Sequence, residues 1–467
     1  MNQNEKNNPP VIWWLRRDLR LTDNDALRAA VRDGRQAIPV FIMDPALLQA
    51  KAPLRQQFLF GGLRRLDEDL RLLGSRLILR QGNPAEQLAH LLAETGASAI
   101  YAEEDYSPYA RRRDAEVVAR LPLRLVQGLT VFHPAALTKA DNHPYVVFTP
   151  FSKAWKSLPF SFTTTGSPHP NLFAATTGLE SLPLPEMRPP ADFPPGEAEA
   201  RRRLDRFLGG AVFEYAEGRN RLDQPGTSEL SPYLRFGMLS IRAALTAALQ
   251  ALQRADADDR RSVETWINEL IWRDFYHSIL YHFPGVLKEG FQTGLRGIAW
   301  REAPADLQVW QHGETGYPVV DACMRQLAET GWMHNRGRMI AASFLAKDLL
   351  INWQEGERWF MRCLVDGEPA ANNGGWQWTA GVGTDAAPYF RIFNPLLQGK
   401  KFDPEGRFVR RWLPELAHVP LTYIHNPWMM PPDVQSECGV KIGTDYPAPI
   451  VDHAIVKERV LNAYKKT

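Results

Sequence analysis

The sequence predicts an α/β domain with a doubly wound parallel sheet (Rossmann-like), joined by a long linker to an all-α domain. Three observations carry that reading. Strand-like and helix-like runs alternate through the first 130 residues. Nine prolines then crowd residues 159–195. From residue 196 onward, apolar positions recur with helical period and β-branched runs are scarce.

Each element has its own warrant. Val11, Ile12, Trp13, Trp14 and Leu15 form an unbroken apolar run, as a strand buried on both faces does. Residues 23–33 read as a helix, with Thr22 or Asp23 as N-cap. A strand over 37–43 leads into a long helix ending near residue 73. Then come a strand over 76–79, a helix over 84–95 with Pro84 in its first turn, and a strand over 98–102. A helix over 108–120 and a strand over 123–126 complete the series. Such alternation gives a parallel sheet covered on both faces, which binds ligands beyond the carboxyl ends of its strands. No G-x-G-x-x-G follows the first strand, and Gly381, Gly383 and Ala386 match G-x-G-x-x-A with no strand before them. The proline-rich composition reads as a connector that wraps or bridges rather than packs. Beyond it, residues 261–283, 317–330, 335–351 and 355–364 read as helices. The domains are therefore 1–135, a linker over 136–195, and 196–467.

Composition bounds the function. A 467-residue chain with 44% apolar and 23% charged residues is an ordinary globular protein of more than one domain. A net charge of +2 argues neither for nor against a polyanion partner. Cys323, Cys363 and Cys438 lie far apart and form no metal spacing, so no metal site and a reducing, cytoplasmic compartment are expected. The polar start has no apolar core of a signal peptide, and the nearest long apolar run, 340–353, is broken by Lys347 and Asp348. A soluble protein without a membrane span is expected.

Fourteen tryptophans are the unusual component, and the densest case is Asn372-Asn373-Gly374-Gly375-Trp376-Gln377-Trp378. Indole is costly to bury because its N–H needs a partner, but it stacks on flat ligands and bases. With Asp366 and Glu368, this stretch reads as a hydrogen-bonding loop around a Gly-Gly turn, fit for a heterocycle edged with donors and acceptors. Its acids do not follow calcium-loop spacing. On a helix, Trp266, Glu269, Trp272 and Arg273 share one face while Leu270 and Ile271 point elsewhere. Two indoles and two opposite charges suit a lined cavity better than a core stripe or a solvated ion pair. Asn335, Arg338 and Met339 also share a face, with Arg336 turned away toward a phosphate or toward solvent. Gly226-Thr227-Ser228-Glu229-Leu230-Ser231-Pro232 reads as a helix start, either a plain N-cap or a phosphate site. Arg391, Lys400, Lys401, Arg407, Arg410 and Arg411, with Tyr389, Phe390, Phe393 and Phe402 interleaved, read either as a nucleic-acid contact surface or as a solvated surface loop.

Taken together, these segments resemble the photolyase/cryptochrome family, most closely the class I cyclobutane pyrimidine dimer photolyases. The opening Trp14-Leu15-Arg16-Arg17-Asp18-Leu19-Arg20 with Asp23-Asn24 matches, and segments 227–231, 266–276, 332–339 and 366–394 follow in the family's order. The resemblance implies an N-terminal antenna domain and a C-terminal domain holding FAD, reduced in the active state. It places Tyr215, Thr227, Ser228, Glu229, Leu230 and Ser231 on the FAD phosphate side, and Trp266, Arg273, Asn335, Arg338, Asp366, Glu368 and Asn372 around its ring and ribityl chain. Asn372 would face the flavin N5. Glu368 departs from the family's usual Asp. The lesion pocket would be Glu269, Trp272, Asn335, Met339 and Trp378, with Arg219, Arg336 and Arg391 on DNA phosphates. Trp300, Trp353 and Trp376 would carry electrons to the flavin. Arg17 and Asp105 would belong to a second, antenna chromophore of 8-hydroxy-deazaflavin, flavin or folate type.

The function this resemblance implies is light-dependent repair of pyrimidine dimers in DNA, by a carbon–carbon lyase acting as a monomer. No triad or acid–base pair is required, because the hard chemistry belongs to the cofactor. Enzymes acting on the (6-4) photoproduct are similar but carry a His pair where Asn335 and Met339 stand. A cryptochrome-type blue-light receptor is the alternative, and Asn at position 372 together with the lack of a long polar tail speaks against it. A general FAD oxidoreductase would need a nicotinamide fingerprint.

Overall fold

The computed structural model describes residues 8–32, 35–49, 51–160 and 169–465. The chain falls into two compact units. The first comprises Met1–Tyr145, Thr149–Gly210 and Ser228–Pro284, and the second comprises Val146–Phe148, Ala211–Thr227 and Gly285–Thr467.

The first unit contains the parallel sheet. Its strands are β1 (Val11–Leu15), β2 (Ala37–Met43), β3 (Ile78–Gln81), β4 (Ile100–Glu103) and β5 (Leu123–Val126). They stand in the order β3-β2-β1-β4-β5, so the winding reverses between β1 and β4. Every residue of β1 and β2 is buried, which explains their unbroken apolar sequence. The first helix, Asp25–Ala30, is capped by Asn24, whose side chain accepts from the Leu27 N–H. Neither Thr22 nor Asp23 caps it: Asp23 lies in the left-handed region at φ 47°, and the Thr22 hydroxyl bonds Glu197. Position 33, the expected helix end, lies outside the described residues. Strands β3 and β4 begin two residues later than the alternation suggests, because Leu77 and Ala99 are buried ahead of the ladder.

The proline-rich connector does pack. The Leu182 N–H reaches the Leu79 carbonyl and the Ala174 N–H reaches that of Ala37, so the connector shields edge strand β3 and one end of β2. Phe173 and Phe193 are buried, and Phe148–Ser157 is helical with Phe151 and Trp155 inside. Helix Ala257–His282 also lies largely in this unit's core.

The second unit is helical, built from Pro304–His312, Pro318–Thr330, Asn335–Ser343, Trp353–Cys363, Pro369–Ala380, Pro395–Phe402, Arg407–Trp412 and His453–Lys465. They enclose an apolar core that includes Trp310, Phe344, Phe360 and Trp376. The helix expected over 335–351 changes character at Phe344–Asp348, which winds as a π-helix, and Leu350 closes it at φ 52°. Lys347 and Asp348 inside this apolar run are fully buried and need polar partners. Lys347 Nζ bonds the Ala380 carbonyl at 2.8 Å and Asp348 bonds His453 at 2.5 Å.

Candidate functional site

In the second unit, the run from Pro369 to Ala380 is a helix, and no Gly-Gly turn or loop exists there. Glu368 is its N-cap, with Oε2 accepting from the Ala371 N–H at 3.0 Å, and Gly381 ends it at φ 82°. The Glu368 carboxylate thus curls back onto its own helix. Asn373 and Gln377 point inward and both donate to the Val286 carbonyl, at 3.1 and 2.8 Å. Ala371, Gly375 and Trp378 line the outer face, and Asn372 sits at the margin.

Asn372 is held from one side. Its Nδ2 donates to the Glu357 carbonyl and to Glu357 Oε1, each at 3.1 Å. Both N–H bonds are engaged, so Oδ1 is the atom Asn372 presents to a ligand. Burial pushes the Glu357 carboxyl up, and the Asn372 amide pulls it back down. Beside this helix, Arg338 Nη2 pairs with Asp366 Oδ2 at 2.7 Å, while its Nε donates to the Met333 carbonyl at 2.8 Å. Asp366 Oδ1 is buried with no hydrogen-bond partner. A buried carboxylate oxygen left open is costly and asks for a donor from a ligand. Two acceptors on neighbouring elements thus match a ligand edged with N–H or O–H groups.

Helix Asn335–Ser343 places Asn335 and Met339 on one open face, with Nδ2 and Sδ 3.9 Å apart. Arg336 is not turned to solvent. It donates to Asn220 Oδ1 at 2.5 Å and lies over the Phe402 ring at 4.5 Å. Burial and the nearby Arg219 lower its pKa to about 10. Arg219 covers the Tyr215 ring at 5.7 Å. The two guanidiniums lie on aromatic rings, and guanidinium groups of this kind can receive an anion. The basic run 391–411 is mostly two short helices, and Arg391, Lys400, Lys401, Arg407 and Arg411 are exposed on it.

Trp376 and Trp353 are buried and Trp300 is half-buried. The Trp376 ring meets Phe360 at 5.0 Å and Trp310 at 6.0 Å, and its indole N–H has no partner. A Cβ on Gly356 would stand 2.1 Å from Trp376 Cη2, so only glycine leaves room for this indole.

In the first unit, helix Ala257–His282 turns Glu269, Trp272 and Arg273 to its open side, while Trp266 goes into the core against Phe207 at 5.0 Å. Trp272 lies beside Tyr276 at 5.5 Å and Arg273 donates to the Leu129 carbonyl at 2.7 Å. Ser231–Arg235 is a five-residue helix without a side-chain cap, preceded by Glu229 at φ 51°. The Glu229 carboxylate accepts from Arg203 at 2.9 Å. Ser228 is half-buried, Leu230 buried and Ser231 exposed, and Thr227, in the second unit, is half-buried.

At the carboxyl end of the sheet, Arg17 pairs with Asp105 at 3.3 Å and donates to the Arg235 carbonyl at 3.2 Å. Burial would raise the Asp105 carboxyl, but Arg17 and the Ser107 N–H hold it well below the usual range. Nearby residues Asp44, Asn83, Tyr109, Arg112, Arg113 and Glu116 line a cavity of about 530 Å³. Neither Glu357 nor the Asp44–Arg112 cavity is marked by the sequence. No local spacing ties residue 357 to 372, and the cavity gathers ends of three separate β–α connections. Among the described residues there is no cluster of metal-ligating side chains, and no helix is long and apolar enough to cross a membrane.

Two family models match the sequence: one described as DNA photolyase over residues 11–171, the other as the FAD binding domain of DNA photolyase over 266–466. A deoxyribodipyrimidine photo-lyase of Synechococcus sp. is 40% identical, covering 98% of this chain and 96% of its own. Among solved structures, a class III photolyase from Agrobacterium tumefaciens superposes with TM-score 0.93 at 39% identity, covering 99% of this chain and 98% of that one. A Synechocystis cryptochrome gives 0.88 at 31%, covering 98% and 99%. An archaeal photolyase from Sulfolobus tokodaii, solved with two FAD molecules, gives 0.83 at 30%, covering 98% and 100%.

Proposed function

The chain belongs to the DNA photolyase family, and from that premise we propose that it is a light-dependent DNA repair enzyme, splitting cyclobutane pyrimidine dimers with bound FAD. The observation that carries the cofactor reading is the pair of open acceptors, Asp366 Oδ1 and Asn372 Oδ1. Flavin has ring N–H and ribityl O–H groups to meet such acceptors. When bound and reduced, FAD supplies the photoexcited electron that opens the cyclobutane ring.

The chain's own residues bind, orient and select. Glu357 fixes the Asn372 amide so that its oxygen faces the ligand. An oxygen acceptor suits an N5 that carries a proton, as reduced flavin does, and leaves the bare N5 of oxidised flavin unmatched. We assign Arg338, Asp366, Asn335 and Glu368 of the second unit, with Tyr215 and Thr227, to FAD. In the first unit we assign Trp266, Arg273 and the segment Ser228–Ser231 to it. Trp272 and Trp378 would stack on the extruded dimer while Glu269 accepts from a thymine edge. A dimer stacks poorly within the duplex, so its extrusion costs less than that of intact bases. Met339 would complete the apolar wall. Arg219, Arg336 and Arg391 would bind DNA phosphates, so lesion affinity should fall with salt. Trp376, Trp353 and Trp300 would relay electrons inward.

An antenna chromophore is assigned to the carboxyl end of the sheet, at Arg17 and Asp105. The cavity beside them is large enough for a flat chromophore. The absorption spectrum of the purified protein decides between deazaflavin, flavin and folate. The test of the main reading is blue-light repair of a single defined dimer in duplex DNA. A signalling function like that of a cryptochrome would leave the dimer intact under light.

A further inference from the structure

Helix Ala257–His282 turns Glu269, Trp272 and Arg273 to its open side, and its inner side carries a buried carboxylate, Asp274. Asp274 Oδ2 accepts from the Val131 N–H at 3.0 Å and from the Trp155 indole N–H at 3.1 Å. The adjacent Arg273 donates to the Leu129 carbonyl at 2.7 Å. Two consecutive residues therefore grip one stretch of chain, 129–131, one by a carbonyl and the other by an N–H. Asp274 also holds the helix Phe148–Ser157 through Trp155. All these side chains and the stretch 129–131 lie in the first unit. Burial pushes the Asp274 carboxyl up to about 6 against the pull of Arg273 and of its hydrogen bonds, so it is charged at neutrality. A second tie between the same two helices, Lys156 Nζ to Asn268 Oδ1 at 2.8 Å, is exposed, and water competes for both groups there.

We propose that Asp274 is a positioning residue for lesion recognition: it fixes the rotation of its helix about the helix axis, and with it the direction in which Glu269 and Trp272 meet the dimer. This rests on the reading of Glu269 and Trp272 as lesion contacts.

Consecutive residues stand about 100° apart around a helix, so pinning both Arg273 and Asp274 to one stretch of chain stops the helix from rolling. With a side chain reaching about 6 Å from the axis, a roll of about 20° would carry the Trp272 ring about 2 Å. A recognition site has to hold its groups within about 0.5 Å. Trp272 meets Phe275 edge-on at 5.5 Å and lies beside Tyr276 at 5.5 Å, and both belong to the same helix and roll with it. Phe275 packs on Phe151 at 5.2 Å, an apolar contact without direction. A buried carboxylate costs desolvation that a leucine would not, and what it supplies in return is direction: charged hydrogen bonds of fixed geometry to two separate elements.

The experiment is steady-state repair of a defined dimer by holoenzyme reduced beforehand, under saturating blue light, with binding to the same duplex without the lesion measured alongside. Asp274→Asn keeps the volume but sets an NH₂ against one of the two donors. Its KM for the dimer should rise about tenfold, part of the 5- to 150-fold that a stacked aromatic supplies, while kcat, flavin content and affinity for intact duplex hold. Trp155→Phe leaves the carboxylate in place and should show the same split to a lesser degree, which decides the matter if Asp274→Asn does not fold. Trp155→Phe added to Asp274→Asn removes the donor that the amide opposes, so the double variant should bind the dimer no worse than Asp274→Asn alone. A KM within about twofold of wild type in folded, flavin-bearing variants overturns the proposal, as do losses that simply add. Equal weakening toward intact duplex, or loss of flavin, also overturns it, because a merely structural role gives that result. Wild-type enzyme that binds dimer and intact duplex alike overturns the reading of Glu269 and Trp272, and the proposal with it.

Discussion

Asp366→Asn separates a ligand site from a structural ion pair. The Asp366 side chain is 2% exposed and that of Arg338 is 26% exposed, with 2.7 Å between Nη2 and Oδ2. The second carboxylate oxygen is buried and open. The amide keeps the volume but removes the charge, and it must turn its NH₂ either to the guanidinium or to the ligand. A hydrogen bond to a charged group contributes about 1.5–3 kcal/mol, so one lost ligand bond should weaken FAD binding by about 10- to 150-fold. Loss of this largely buried ion pair alone should cost the apoprotein about 3–5 kcal/mol and leave FAD affinity unchanged. The assay is FAD titration of apoprotein by flavin fluorescence, with thermal melts of the apo form alongside. An FAD affinity within twofold of wild type, combined with a large loss of apo stability, would refute the assignment of Asp366 Oδ1 to the cofactor.

The same geometry fixes four further outcomes. Trp272→Ala should weaken binding of dimer-containing DNA by about 5- to 150-fold, since base stacking on an aromatic contributes about 1–3 kcal/mol, while the flavin spectrum stays unchanged. Trp376→Phe should slow photoreduction of oxidised flavin yet spare repair by enzyme reduced beforehand, and equal photoreduction would remove Trp376 from the relay. Gly356→Ala puts a methyl 2.1 Å from Trp376 Cη2, so calorimetry should find a loss of about 1–3 kcal/mol despite the better helix propensity of alanine. Burial sets the Lys347 pKa near 7, below its usual value, so between pH 7 and about 10.4 the unfolded chain holds the proton that the folded chain releases. The stability of wild type relative to Lys347→Met should therefore rise with pH across that window, read by denaturant midpoints, and a flat difference would contradict the burial argument.

The α/β unit is legible because a doubly covered strand leaves an unbroken apolar run, as in Val11–Leu15, and because asparagine and serine mark helix starts. The expected N-cap falls one residue short because Asp23 and Asn24 have the same capping chemistry, and only the left-handed backbone at Asp23 separates them. The Asn-Asn-Gly-Gly run reads as a loop in sequence but is helical. Its glycines argue against a helix locally, yet Glu368 and Pro369 start one and Gly381 stops it, with Asn373 and Gln377 anchored to the distant Val286 carbonyl. The shared faces of Asn335 with Met339, and of Glu269 with Arg273, are legible from helical spacing alone. Trp266 lies on the expected stripe, but its burial against Phe207 depends on a partner 59 positions away in sequence, and no spacing rule reaches that far. The hold of Arg336 on Asn220 and Phe402 is likewise tertiary, so local spacing leaves that guanidinium free. Glu357 leaves no trace in the sequence for the same reason, although it decides which atom Asn372 offers.

The central claim is tested most directly by one measurement. Purified protein, loaded with FAD and reduced, is mixed with duplex DNA carrying one cyclobutane pyrimidine dimer, and intact pyrimidines are counted after blue light and after darkness. The dimer should disappear catalytically under light and persist in the dark. Protein that holds reduced FAD and binds the lesion, yet leaves the dimer intact under light, would contradict the account.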